Sequence, residues 1–165
     1  MEIINNVNTN TINELIAKIE ICAMTVSELD SIKDILFQEF DDFWNYNIFK
    51  SELENENSKY IVAKFNNEVI GFAGIWITID EAHITNIVTK KTYRNHGIAS
   101  LLLKNLIELC QSLEPKISSL TLEVSEENIP AQNLYKKFNF EILGKRKKYY
   151  NGKSALIMTL YFDKK

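Results

Sequence analysis

The spacing of apolar positions changes from segment to segment along this chain, and each change marks an element. Ile12, Leu15, Ile16 and Ile19 recur at helical spacing, and Thr11 with Glu14 has the spacing of a capping box. Residues 1–20 therefore read as an N-terminal extension, either a short docking helix or a loosely held segment. A short strand is expected around IEICAM. Thr25 and Glu28 then repeat the capping-box spacing, ahead of a helix face made by Leu29, Ile32, Ile35 or Leu36, and Phe40. A second short helix is expected from Ile48 to about Leu53, capped by Asn47. KYIVAKF and EVIGFAGIWITI read as strands, split by Asn66-Asn67, residues that tolerate the left-handed geometry of a hairpin turn. AHITNIVT is a further strand, and the amphipathic run LLLKNLIELCQSL a helix. SSLTLEV alternates as a strand does, and Pro130 suits the first turn of a helix through AQNLYKKF. Asn151-Gly152 carries the signature of a type I′ turn, here leading into the last strand, ALIMTLYF.

The order is thus β-α-α-β-β-β-α-β-α-β-β. A strand on either side of the long helix forms a crossover, which makes those two strands parallel neighbours. The remaining connections are hairpins or short excursions, so a mixed, mostly antiparallel sheet with helices on its faces is expected.

Composition narrows the function classes. At 165 residues the chain fits one domain with a short extension. A formal net charge of −3 argues against general nucleic-acid affinity, which needs many phosphate-neutralising cations. Cys22 and Cys110 make no metal or redox pattern, and Cys110 falls on the apolar face of the long helix. His83 and His96 do not suggest a metal site. No segment approaches the ~20 apolar residues of a membrane helix, and MEIINNVNTN has no long apolar core, so a cytoplasmic protein away from membranes is expected. Trp44 and Trp76 read as packing residues.

The chain has five glycines, and one of them, Gly97, opens the long helix. The dinucleotide fingerprint G-x-G-x-x-G is absent. Gly152-Lys153-Ser154 looks like half of a phosphate-binding loop, but the first glycine of that pattern would fall at Lys147. What remains is Arg94-x-x-Gly97-x-Ala99, directly after a strand and at a helix start. There, free N–H groups and the positive end of the helix dipole stabilise an anion. Lys90, Lys91 and Arg94 are expected to add positive charge, and a diphosphate would be a natural guest. The same glycine could equally serve only to let a strand become a helix.

Arg94-x-x-Gly97-x-Ala99 resembles the Q/R-x-x-G-x-G/A signature of the GCN5-related N-acetyltransferases (GNAT). The resemblance covers about residues 21–162. TLEVSEENIPAQNLYKKFNFEILGKRKKYYNGKSALIMTL is similar to the ribosomal-protein-alanine N-acetyltransferase (RimI-like) branch. It implies a GNAT domain over 21–163 of α/β (α+β) class, with a seven-stranded mixed sheet in which one parallel pair splays apart. It also implies acetyl-CoA as co-substrate and no metal. Ile87, Val88, Thr89, Arg94, Asn95, His96, Gly97, Ile98, Ala99 and Ser100 would line the coenzyme, and Asn128 would contact its pantetheine. In the family an amine attacks the thioester directly. By resemblance the main-chain N–H groups of Ile87 and Val88 would hold the oxyanion, Glu123 would take the amine proton directly or through water, and Tyr135 would serve the departing thiolate. Without the resemblance, Glu123 is a solvated residue of a strand's polar face, Tyr135 an aromatic of a helical core stripe and Asn128 a helix cap.

A peptide or protein N-terminus is the expected acceptor, with a ribosomal protein as the family's type partner and a monomer or homodimer as the expected assembly. A terminal amine titrates about 2.5 units below lysine, a difference of roughly 3.4 kcal/mol in deprotonation cost, which a single glutamate meets more readily. Several residues depart from the branch: Ser125, Glu127 and Ser154 stand where arginine, serine and an acidic residue are usual, and Asn139 replaces a glycine. An acceptor that is a small amine or a lysine remains a competing reading. So does a non-catalytic protein, either an acetyl-CoA sensor or a module docking on nucleic acid through Lys145-Arg146-Lys147-Lys148, although that run reads better as a solvated strand edge.

Overall fold

The structure, a computed structural model, describes residues 9–42, 44–150 and 152–163, and for residues 148–150 the main chain alone. Helix α1 spans Thr9–Ala17 and strand β1 Glu20–Ala23. Helices α2 (Val26–Ile32), α3 (Leu36–Phe40) and α4 (Tyr46–Glu54) follow, then strands β2 (Ser58–Phe65), β3 (Glu68–Thr78) and β4 (Glu81–Thr89). A single 3₁₀ turn, Lys91–Tyr93, leads to α5 (Ile98–Ser112), and β5 (Ser119–Ser125), α6 (Ile129–Lys137), β6 (Glu141–Tyr150) and β7 (Lys153–Tyr161) complete the chain.

The seven strands form one sheet in the order β1-β2-β3-β4-β5-β7-β6. β4 and β5 are parallel, with Glu81–His83 in register with Ser119–Thr121, whereas β5 pairs with β7 along its whole length to Ser125. The crossover through α5 thus gives the parallel pair that the element order requires.

Several local expectations need correction. Thr11 lies inside α1 rather than capping it, since the helix is already formed at Thr9. The apolar stripe of α1 does hold: Ile12, Leu15, Ile16 and the following Ile19 are half-buried amid exposed neighbours. The helix after Thr25 breaks into α2 and α3, although Leu29, Ile32, Leu36 and Phe40 all reach the core. Thr25 and Glu28 form the expected capping box. α4 starts earlier than its apolar pattern suggests, because Asn45, not Asn47, accepts the hydrogen bond from Ile48 N. Trp76 is 42% exposed beside His83 and is no packing residue, whereas Trp44 packs edge-on against Phe49. Asn66 and Asn67 adopt the left-handed φ expected of the hairpin, as does Gly152; Asn151 lies outside the described residues.

The chain divides into two compact units. One comprises the described residues up to Gly74 together with Asn86–Asn105, the other Ile75–Thr85 together with the described residues from Leu106 onward. In the first, Phe40, Phe49 and Phe72 stack with ring centroids 5.1–5.6 Å apart among Leu29, Ile32 and Leu36. In the second, Leu120, Leu122, Phe140, Met158 and Cys110 are buried, and desolvation pushes the Cys110 thiol up to about 12. That thiol is a core group, as its place on the helix predicts.

Candidate active site

The first unit contains the turn before α5. Asn95 (φ 63°) and Gly97 (φ 82°) are both left-handed and flank His96. Left-handed residues of this kind let a short turn aim main-chain N–H groups at one point, and here the turn runs straight into a 15-residue helix. At Gly97 the glycine is needed for its φ rather than for space, since an added Cβ would meet only Ile16 Cδ1 of α1, at 3.7 Å. At Gly71 in β3 the reverse holds. A Cβ there would stand 3.0 Å from the Val88 carbonyl oxygen, 3.1 Å from Leu102 Cδ1 and 3.2 Å from Ile98 Cγ2. Gly71 therefore lets the end of β4 and the start of α5 settle closely onto β3. Ile98 is buried in that contact, so only its main chain can face a ligand, while Ala99 and Ser100 are half-buried and Gly97 is exposed.

The cations of this turn are arranged otherwise than expected. Lys90 pairs with Glu68, Lys91 with Asp41 at 3.0 Å, and Arg94 with Asp41 at 2.8 Å. Arg94 Nε also donates to the Thr89 carbonyl at 3.2 Å, and His96 Nδ1 lies 2.7 Å from the Arg94 carbonyl oxygen. Arg94, then Lys91, hold the Asp41 carboxyl below its usual range. The three side chains brace the turn, because Asp41 and Glu68 arrive from segments distant in sequence, and with three cations on two carboxylates one positive charge is left over. That charge and the main-chain N–H groups are what the turn can offer an anion. One further polar group points the same way: Thr89 Oγ1 is buried and has no hydrogen-bond partner among the described atoms. On β4, Ile87 and Val88 are half-buried, and Val88 packs on the aromatic core. Just before them, Asn86 donates to Asp42 at 3.1 Å and accepts from the Tyr60 hydroxyl at 2.9 Å. Asp42 is buried, and desolvation raises its pKa despite its bonds to Trp44 N and Asn86.

The second unit contains the groups suited to proton transfer. Thr121, Glu123 and Ser125 share one face of β5, with Thr121 Oγ1 2.8 Å from Thr159 Oγ1 of β7. Glu123 Oε1 is 2.9 Å from Arg146 Nη2, while Glu123 Oε2 is buried without a partner among the described atoms. Asn128 caps α6 by accepting from Ala131 N at 3.2 Å. Gln132, one turn on and buried, donates to the carbonyls of Ser125 and Glu126 at 3.1 and 3.0 Å, tying α6 to the end of β5. Tyr135 follows on the same helix, buried, with its ring tilted against Phe140 at 5.7 Å. The left-handed Asn139 ends this segment as an asparagine can. The basic run on β6 lies at the sheet edge, with Lys145 paired to Glu126 and Arg146 to Glu123.

A parallel strand pair joined through a glycine-led helix is the point at which comparison with known proteins becomes decisive. The Acetyltransferase (GNAT) family profile matches residues 27–140. The chain belongs to this family. A Bacillus subtilis protein provisionally named [ribosomal protein bS18]-alanine N-acetyltransferase is 39% identical over 82% of this chain and 90% of its own length. The Haemophilus influenzae [ribosomal protein bS18]-alanine N-acetyltransferase is 35% identical over 72% of this chain and 82% of its own. The crystal structure of the ribosomal-protein-S18-alanine N-acetyltransferase from Escherichia coli superposes with a TM-score of 0.79 at 26% identity, covering 89% of this chain and 96% of that one.

Asp41, Glu68, Gly71 and Gln132 escape the reading of the sequence, and Arg146 enters it only as part of a basic strand edge, without its partner. Gly71 leaves a trace, as a small residue inside an apolar strand. The ion-pair partners and Gln132 leave none, because nothing local distinguishes them from solvated surface residues. Among the described residues no cluster suited to a metal ion occurs, and no described helix is long and apolar enough to cross a membrane.

Proposed function

We propose that this protein is an acetyl-CoA-dependent N-acetyltransferase whose acceptor is the α-amine of a protein or peptide N-terminus, foremost that of a ribosomal protein beginning with alanine. The observation that carries this reading is its identity, over most of both chains, to relatives named for that activity. Acetyl-CoA supplies an activated acyl group. The main-chain N–H groups from Asn95 to Ser100 would hold its diphosphate, a fit supported by the two left-handed residues and the exposed Gly97. Thr89 Oγ1 is a further donor with no protein partner among the described atoms, and Asn128 would meet the pantetheine.

The main-chain N–H groups of Ile87 and Val88 would donate to the oxyanion as charge develops there. Glu123 would receive the proton of the acceptor amine on Oε2, directly or through one water. The Tyr135 hydroxyl would hydrogen-bond the departing sulfur; a phenol near pKa 10 is a weaker acid than a thiol near 8.5, which favours this over early full proton transfer. The transferase domain spans 21–163 with residues 1–20 as an appended segment, and the enzyme works in the cytoplasm.

The test is mass spectrometry after incubation with acetyl-CoA and an alanine-initiated peptide carrying one internal lysine. Acetylation of the α-amine is expected. Modification confined to the lysine would overturn the acceptor assignment, and calorimetry that registers no uptake of coenzyme A by folded protein would overturn the rest.

A further inference from the structure

Glu123 sits on β5, and β7 lies between it and β6. In register, Glu123 faces Ile157 of β7, and Ile157 faces Gly144 of β6, which has no side chain to offer. Arg146 lies two residues further along β6, on the same face and opposite Ala155. Adjacent strands are about 4.8 Å apart, so β5 and β6 are separated by roughly 10 Å. Only a long side chain can close that gap, and Arg146 does so, its Nη2 lying 2.9 Å from Glu123 Oε1.

Stability alone does not account for this pair. Arg146 is 53% exposed, and an ion pair with so wet a partner adds little to folding. The other carboxylate oxygen, Oε2, is buried with no partner, which costs free energy unless something else completes it. A carboxylate with one oxygen anchored by a permanent cation and the other withheld from water is suited to receiving an ammonium group and then its proton.

We propose that Arg146 is a positioning residue for acetyl transfer. It fixes Oε1 and leaves Oε2 as the docking point for the cationic amine of the acceptor. The inference rests on the reading of Glu123 as proton acceptor. In the step itself, one ammonium proton passes to Oε2 and the freed nitrogen lone pair forms the bond to the acetyl carbon. The carbon–sulfur bond breaks with its electrons leaving on sulfur, and a second proton from nitrogen passes to that thiolate, leaving an amide and a thiol. Arg146 transfers nothing.

Steady-state kinetics on an alanine-initiated peptide test this with Arg146→Gln, Arg146→Lys, Arg146→Ala, Glu123→Gln and, as a control, Lys145→Gln, which removes the pair that the preceding residue of β6 makes with Glu126. Arg146 is exposed enough for all its substitutions to fold. Arg146→Gln should lower kcat about tenfold or more and raise the peptide KM several-fold, with coenzyme A affinity unchanged. Arg146→Lys should recover part of the loss, added guanidinium should restore part of kcat to Arg146→Ala, and Lys145→Gln should match the parent. A kcat for Arg146→Gln within twofold of the parent, while Glu123→Gln is inactive, overturns the role of Arg146 alone. A matching loss in Lys145→Gln also overturns it, since the effect would then be a loosened hairpin. Full activity in Glu123→Gln overturns the reading of Glu123, and this inference with it.

Discussion

Around Gly97, three cations meet two carboxylates, Asp41 and Glu68, and one positive charge is left over. Around Glu123, three cations again meet three carboxylates: Lys145 with Glu126, Arg146 with Glu123 and Lys153 with Glu127. The two regions differ in what is left over. In the turn, one excess positive charge and the main-chain N–H donors remain, a combination suited to a diphosphate. On β5 the remainder is one buried carboxylate oxygen, a single point suited to a cation. On the proposed assignment, a site for a common co-substrate is built largely from backbone, whereas the acceptor amine meets one particular side chain.

The comparison can be broken most sharply at Glu123. Glu123→Gln should reduce kcat by about 10²–10⁴, the usual worth of a positioned acid–base group, while calorimetry finds the affinity for coenzyme A unchanged. A loss of coenzyme affinity instead would mean that the two regions do not divide the work in this way. Next in size, Gly97→Val should weaken coenzyme A binding about tenfold, because a β-branched residue pays about 1–2 kcal/mol for the left-handed φ. Gly97→Asn should recover much of this, and kcat at saturating coenzyme should hold.

A smaller effect distinguishes bracing from attraction. Asp41→Asn keeps a residue that tolerates φ 56° but releases Lys91 and Arg94 from their shared carboxylate. Coenzyme A should then bind about two- to threefold tighter at low salt, and the gain should fade above about 0.5 M salt as screening shortens the reach of the freed charges. Smallest is a control in neither region. The Lys64 ammonium, with help from Thr25, holds the Glu28 carboxyl down at about 2. A depressed folded-state pKa contributes stability above the unfolded value, near 4.3, that is lost as pH falls through the folded one. Thermal denaturation should therefore show the parent above Glu28→Gln at pH 6, with the gap closing between about pH 4.5 and 2. Catalysis should be unmoved.

Much of the scaffold was legible in the sequence. Alternation gave β5, helical spacing gave α5, and turn chemistry placed the hairpin at Asn66-Asn67. Each of these depends on neighbours a few residues apart. The misjudged details are also local but compete with packing: the cap at Asn45 rather than Asn47, the break between α2 and α3, and the exposed Trp76. At the site, the glycine turn was visible because only certain residues tolerate positive φ. The pairing of Lys91 and Arg94 with one carboxylate was invisible, since Asp41 lies 53 residues from Arg94.

By itself, then, the sequence determined the order of strands and helices, the single parallel crossover and the left-handed turn at the head of α5. Periodicity, caps and backbone sterics act over short range and are written residue by residue. Only the tertiary structure decided which charges cancel and which oxygen stays unpaired. Glu123 and Arg146 belong to strands that are not neighbours, and their meeting depends on the register of β7 between them. Electrostatic pairing is a property of distance in space, and the fold sets that distance.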